Sequence, residues 1–114
     1  MKSRRGKPDH EAESISVRAD SIEKPEKIYR NAKHNGNRTS AKGNVEIKVN
    51  RQKPENNADD IFRPRPGTIL KGGEEESVII ESKRIQKQGR HNGKDVANAS
   101  RDVRIFGKLR RAKK

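Results

Sequence analysis

The sequence predicts a mainly β protein, with a small sandwich- or barrel-like core of short strands and substantial disorder at both basic ends. Three observations lead to this class. Apolar residues fall in short alternating clusters, no long stretch carries a helical stripe, and Gly, Pro and Asn turn signals separate the clusters. A largely intrinsically disordered chain is the alternative, because only 26% of the 114 residues are hydrophobic and the net charge is +13.

The predicted strands follow one another along most of the chain, since β-branched residues alternating with polar neighbours favour half-buried strands. The clusters are SISVR from residue 14, NVEIKVN from 44, GTILKGG from 67, ESVIIESKRI from 76 and DVRIFGKL from 102. The one helix candidate is EKPEKIYRNAK, residues 23–33, where Ile28 is the single aliphatic side chain available for burial. We expect a disordered basic arm at 1–13, one β-rich domain at 14–106 with a loop at 50–67, and a disordered basic tail at 107–114.

The tripeptide HNG occurs twice, at 34–36 and at 91–93, an offset of 57 residues. Asn-Gly favours a two-residue hairpin turn, because both central residues of that turn need positive φ. We therefore expect two hairpin turns rather than two metal or catalytic sites. The shared offset of several apolar residues around the copies leaves an internal duplication open.

The sequence lacks the residue patterns of an enzyme or a metalloprotein. There are no cysteines, which excludes disulfides and thiolate zinc sites. His10, His34 and His91 lie in separate segments without metal-ligand spacing, and neither a phosphate-binding glycine loop nor a nucleophile elbow is present. Glu74–Glu76 is interpreted as a solvated turn that guards the apolar strand after it. We expect no enzymatic activity, cofactor, metal or small-molecule substrate.

A membrane partner is also not expected. No apolar run approaches the roughly 20 residues of a membrane span. The basic N-terminus is not followed by the apolar stretch of a secretory signal. We expect the protein in the cytoplasm, or associated with a nucleoid or a ribonucleoprotein.

Basic charge is concentrated in the last third of the chain. Residues 83–114 hold 12 basic and 2 acidic residues, a net charge of +10, whereas residues 54–82 carry a net charge of −4. Such a segment gains affinity for nucleic acid by neutralising phosphates and releasing counterions. The expected phosphate contacts are Arg84, Lys87, Arg90, Lys94, Arg101, Arg104, Lys108, Arg110, Arg111, Lys113 and Lys114.

The expected partner is RNA rather than DNA, or the packaged genome of a virion, bound by a ribonucleoprotein, ribosomal or virion component. Only three aromatic residues are present, so backbone and shape recognition is favoured over base stacking. Two alternatives stay open. One is an all-β structural module that binds protein neighbours, with the acidic 54–82 segment facing a basic end of the next copy. The other is a disordered protein without a fixed partner.

Overall fold

The computed structural model describes residues 8–29, 35–54 and 63–112, and strands dominate these ranges, with no helix among them. The mainly β prediction is confirmed. The strands are β1 His10–Ala19, β2 Ser21–Ile22, β3 Glu26–Tyr29, β4 Asn35–Lys42, β5 Glu46–Arg51, β6 Ile69–Lys71, β7 Ser77–Ser82, β8 Arg84–His91, β9 Lys94–Phe106 and β10 Arg110–Arg111.

All ten strands belong to one antiparallel sheet. Its order is β10-β6-β5-β1-β9-β7-β4-β2, with β3 also beside β4 and β8 also beside β9. β2 continues β1 after Asp20, whose backbone N–H donates to the Gly43 carbonyl at 2.9 Å. The consecutive strands β1 and β2 therefore lie in the middle and at one end of the strand order. Because they are joined directly, the sheet must curve so that this end comes back toward β1.

The core is a single cluster of Val, Ile, Leu and Ala side chains from the inner side of this curved sheet. Ile15, Ile47, Leu70, Ile80 and Ile105 are its largest fully buried members. Burying each such side chain contributes about 1.5–3 kcal/mol. The short alternating clusters of the sequence thus supply one shared core, because successive residues of a strand point to opposite faces of the sheet.

A β-bulge divides β1 and β9 into two halves. The register in which β1 pairs with β9 shifts at the segment of β1 from Ala12 to Ser14. Opposite this point, Arg101 and Asp102 have φ of 71° and 59°, a left-handed conformation that is uncommon outside glycine. Before the bulge, β9 pairs with β8, and after it β9 pairs with β7. The bulge therefore turns the sheet and creates two outer faces with different neighbours.

The prediction of a helix at 23–33 is wrong for residues 23–29, the part that the structure describes. Residues 26–29 form β3, which pairs with β4 from Glu26 opposite Arg38 to Tyr29 opposite Asn35. A helix there would have had only Ile28 to bury, whereas pairing with β4 satisfies the backbone of an extended segment. Strand pairing, a long-range effect, overrides the local helix signal.

The two HNG copies adopt different structures. Asn92 and Gly93 have φ of 55° and 79° and form the hairpin turn between β8 and β9, as predicted. The prediction is wrong for the first copy, because Asn35 and Gly36 lie inside β4 and His34 lies outside the described residues. A Cβ on Gly36 would approach the Ser82 carbonyl oxygen to 2.9 Å, so strand packing explains this glycine. The two copies are thus not structurally equivalent, as a duplication would require.

The sheet extends beyond the expected domain bounds. β1 begins at His10, inside the predicted arm, and β10 places Arg110 and Arg111 of the predicted tail opposite β6. Residues 1–7 and 113–114 lie outside the described ranges. Within those ranges, no helix combines the length and the hydropathy that crossing a membrane would require.

Candidate nucleic-acid interface

Lys87 and Arg90, two of the predicted phosphate contacts, lie next to the carboxylate of Asp95 within the fold. Arg90 Nη1 lies 3.0 Å from Asp95 Oδ1, and Lys87 Nζ lies 3.7 Å from Asp95 Oδ2. Asp95 is buried, and its Oδ2 also accepts the backbone N–H of Ile22 at 2.8 Å. This carboxylate therefore ties β8 and β9 to β2, and its two cations are less available to a ligand than free side chains would be.

The hydrogen bond from the Ile22 N–H is the main cause that lowers the pKa of Asp95. Burial opposes this effect, and the positive charges of Lys87 and Arg90 reinforce it. Asp95 is therefore ionised at neutral pH and holds both cations.

A third predicted contact, Arg104, belongs to a row of alternating charges that crosses five strands. Direct pairing places the members side by side on the outer side of β1, β9, β7, β4 and β3. The row, which we name the laddered face, consists of Glu11, Arg104, Glu81, Arg38 and Glu26. Opposite charges at directly paired positions stabilise a sheet.

Ion pairs and hydrogen bonds within the fold involve most charges of the laddered face. Arg38 donates to Glu81 Oε2 from Nε at 3.1 Å and from Nη2 at 3.0 Å. Glu11 is buried beneath Lys53 and Arg63, with Oε1–nitrogen distances of 3.4 and 3.6 Å. Few cations of the laddered face are therefore available to bind an external anion.

Asp102, at the bulge, extends this network. Its Oδ1 accepts from Lys53 Nζ at 2.6 Å, and its Oδ2 lies 3.8 Å from Arg104 Nη2. Burial acts to raise the pKa of Asp102, but the hydrogen bond from Lys53 and the charges of Lys53, Arg104 and Lys83 outweigh burial and lower it. The bulge is therefore held by an ionised carboxylate.

The other predicted residues are scattered. Arg101 is exposed at the bulge, Lys94 is half-buried beside the hairpin turn, and Lys108 is exposed after β9. Arg111 pairs with Leu70 and so lies on the opposite side of β10 from Arg110. Lys113 and Lys114 lie outside the described residues. The basic third of the sequence therefore does not form one surface among the described residues.

A continuous basic surface arises on another part of the sheet, from residues distant in sequence. It is the outer side of β8, the first half of β9, the second half of β1, and β5, β6 and β10, which we name the open face. Direct pairing aligns its side chains in three rows. Its exposed basic members are Arg18, Lys48, Arg51, Lys71, Arg84 and Arg110, and the half-buried Lys94 lies on the same side at the start of β9.

The open face is nearly free of compensating charge. Among its described members, Glu46 is the one carboxylate, and its Oε2 lies 4.0 Å from Lys71 Nζ. No ion pair joins Arg18, Lys48, Arg84 or Arg110 to a described residue. Like charges on neighbouring strands repel, so this surface lowers stability unless an anion covers it.

Uncharged polar side chains occupy the middle of the open face. Gln86, Asn98 and Ser16 lie side by side on β8, β9 and β1, followed by Lys48 on β5. Asn50 Nδ2 donates to Ser16 Oγ at 3.0 Å. The surface can thus both donate and accept hydrogen bonds between its cations.

Of the predicted site residues, the open face contains Arg84 and Arg110, which mark its opposite edges on β8 and β10, and the half-buried Lys94 at the start of β9. Sequence reasoning missed Arg18, Lys48, Arg51 and Lys71. The signal was present in SISVR and NVEIKVN, whose polar positions alternate with core residues. The alternation predicts strands, but it does not tell which strands become neighbours.

The other candidate chemistry of the sequence does not form a site. Glu74–Glu76 are exposed at the turn between β6 and β7, where Glu76 Oε1 accepts the Gly73 N–H at 2.8 Å. In the described part of the chain, no three His, Asp or Glu side chains are grouped so that they would hold a metal ion. No protein-family model, curated protein or solved structure matches this chain.

Proposed function

We propose that this is a non-enzymatic protein that binds RNA through phosphate contacts from the open face, as a component of a ribonucleoprotein, ribosome or virion. Its place would be the cytoplasm or a nucleoid or ribonucleoprotein particle. The observation that carries the proposal is the placement of six exposed cations and one carboxylate on a single continuous sheet surface. The positive charge of the open face favours a polyanionic partner, because a polyanion removes the repulsion among these cations.

The polar centre of the open face supports nucleic acid over an acidic protein. Side-chain amides and hydroxyls next to Arg and Lys are the groups that bind phosphate and sugar oxygens. Four of the six cations are Arg, whose planar guanidinium binds phosphate through two parallel hydrogen bonds.

The test is RNA binding as a function of salt concentration, with the full chain and a structured RNA hairpin. We expect log K to fall steeply with log salt, and the variant Arg18→Gln/Lys48→Gln/Arg84→Gln to reduce the slope by about 0.7–0.9 for each phosphate that is no longer neutralised. A matched control is Lys24→Gln/Lys27→Gln/Lys42→Gln, which removes the same charge from exposed positions on β3, β4 and the segment before β3. The control should retain most of the slope.

A flat dependence on salt, or an equal reduction of the slope in both triple variants, would contradict the proposal. Light scattering on nuclease-treated protein separates the main rival. Ordered oligomers without nucleic acid would favour an all-β assembly module, whereas monomers that assemble only with RNA would support the proposal.

A further inference from the structure

Most side chains of the open face lie in three parallel rows with different chemistry, and His91 and Lys94 form a further pair beside the hairpin turn. The first row is Arg84, Ser100, Ser14 and Arg51, the middle row is Gln86, Asn98, Ser16 and Lys48, and the third row is Arg18, Glu46, Lys71 and Arg110. Cations thus border the face on two sides, and the middle of the face on β8, β9 and β1 is uncharged. Such a pattern suits a ligand with two lines of negative charge separated by polar, uncharged groups.

Sheet geometry gives the dimensions of this pattern. Outward residues of one strand repeat about every 7 Å, so the two outer rows lie about 14 Å apart. Strands are spaced by about 4.8 Å, so β8 and β10 lie roughly 24 Å apart along the curved surface of the sheet. The row separation and the breadth of the face are closer to the groove width and the diameter of a nucleic-acid duplex than to the width of one extended strand.

The shape of the face excludes the grooves of B-form DNA as a good fit. The minor groove of B-DNA, about 6 Å wide, is too narrow for two rows about 14 Å apart. The major groove is about 12 Å wide but about 8.5 Å deep, and it admits a helix or a two-stranded ribbon. A six-stranded sheet surface is too broad to enter it.

A single strand is also a poorer fit. Binding of single strands relies on exposed aromatic side chains on which bases stack. The apolar members of the open face are Ile69 and Val96, and Phe106 lies beside Ile79 on the laddered side of the sheet. The open face therefore has no stacking platform among its described residues.

We infer that the open face binds duplex RNA across its minor groove. The A-form minor groove is wide and shallow and displays the 2′-hydroxyls, so a broad surface can lie over it. The two outer rows contact the phosphates of the two strands, while Gln86 and Asn98 hydrogen-bond 2′-hydroxyls between them. This inference rests on the proposed function and adds the class of RNA and the groups that distinguish RNA from DNA.

The experiment compares three probes with the full chain at one salt concentration: an RNA duplex of about 20 base pairs, the DNA duplex of the same sequence and one strand of that RNA. Because DNA lacks the 2′-hydroxyls that would accept these hydrogen bonds, we expect the RNA duplex to bind about tenfold tighter than the DNA duplex. It should also bind tighter than the single strand. The variant Gln86→Ala/Asn98→Ala should lose most of this preference and keep its affinity for DNA within about twofold. Both side chains are exposed, and thermal melting checks that the variant is folded.

The control Gln52→Ala removes an exposed amide after the end of β5 and should leave the preference unchanged. Equal affinity for RNA and DNA duplexes, or tighter binding of the single strand, would overturn the duplex inference and leave the proposed function intact. A Gln86→Ala/Asn98→Ala variant that weakens RNA and DNA equally would also overturn it. Absence of salt-dependent binding to all three probes would overturn both proposals.

Discussion

The open face and the laddered face are two outer surfaces of the same curved sheet, and they use charge in opposite ways. On the laddered face, acid and base alternate from strand to strand, and Arg38 donates twice to Glu81. On the open face, six exposed cations share a surface on which Glu46 is the one carboxylate among the described members. Both faces are built by antiparallel pairing, so the kind of pairing does not account for the difference, and the residues that the pairing brings together do.

The contrast separates charges that hold the sheet together from charges available to a partner. A buried carboxylate such as Glu81 must be paired, since removing its partner leaves an uncompensated charge. Exposed like charges do the reverse and oppose folding. Charge placement, rather than charge density along the sequence, therefore distinguishes the candidate interface.

The largest expected effect tests whether the two faces share one core. Ile47 lies on a strand of the open face and Ile80 on a strand of the laddered face, and both are fully buried. We expect Ile47→Ala and Ile80→Ala each to lower the free energy of unfolding by about 2–5 kcal/mol. Urea unfolding followed by circular dichroism should give one transition in both variants, because one cluster joins the two halves. Two separate transitions would show that the halves fold independently.

A smaller effect is expected from breaking the charge pairs. Arg38→Gln removes both hydrogen bonds to Glu81, whose side chain is only 5% exposed, and should lower the free energy of unfolding by about 1–3 kcal/mol. Arg18→Gln on the open face should change it by less than about 0.5 kcal/mol. RNA affinity should respond in the opposite order. If Arg38→Gln weakened RNA binding more than Arg18→Gln while both remained folded, the division between the two faces would be wrong.

The smallest effect is a dependence of stability on pH. Burial lowers the pKa of His10, on the inner side of the laddered half, although the Asp9 charge and the Leu109 carbonyl act to raise it. Its folded pKa lies below the ordinary 6.5, so neutral His10 stabilises the fold at higher pH. This contribution is lost as the pH falls through the folded pKa.

Chemical denaturation at a series of pH values measures this dependence. The free energy of unfolding should begin to fall below about pH 6.5, and the His10→Gln variant should lack this first decline. The lowered pKa values of Asp95 and Asp102 predict a second decline, below their ordinary value of 3.8, that both proteins share. A wild-type curve that is flat from pH 7 to pH 5, or a decline of equal size in the variant, would contradict the assignment to His10.

Much of the fold was predictable because its signals are local. Alternation placed Ile15, Val17, Ile47 and Val49 on the inner side of strands, and Asn92-Gly93 predicted the turn of the β8–β9 hairpin. The first HNG failed as a prediction because Gly36 is explained by the close approach of Ser82, which is 46 residues further along the chain. Contacts of that range leave no local signature in the sequence.

The candidate site was less predictable. The basic last third predicts phosphate contacts at Lys87, Arg90 and Arg104, but each of these side chains lies near a carboxylate of the fold. Arg18 and Lys48 do not stand out in the sequence, because Arg18 is the single charge of SISVR and Lys48 shares NVEIKVN with Glu46. Strand order places them on the same face as Arg84 and Arg110, which are far from them in sequence.

The amino-acid sequence by itself determined the β class, the inner and outer side of the alternating strands and the excess of positive charge, since these depend on composition and on neighbours one or two residues away. The tertiary structure decided which cations are paired and which remain exposed together. The physical reason is that β-sheets join residues across the chain, so strand order, register and the bulge at Arg101 and Asp102 set the charges that meet on each face.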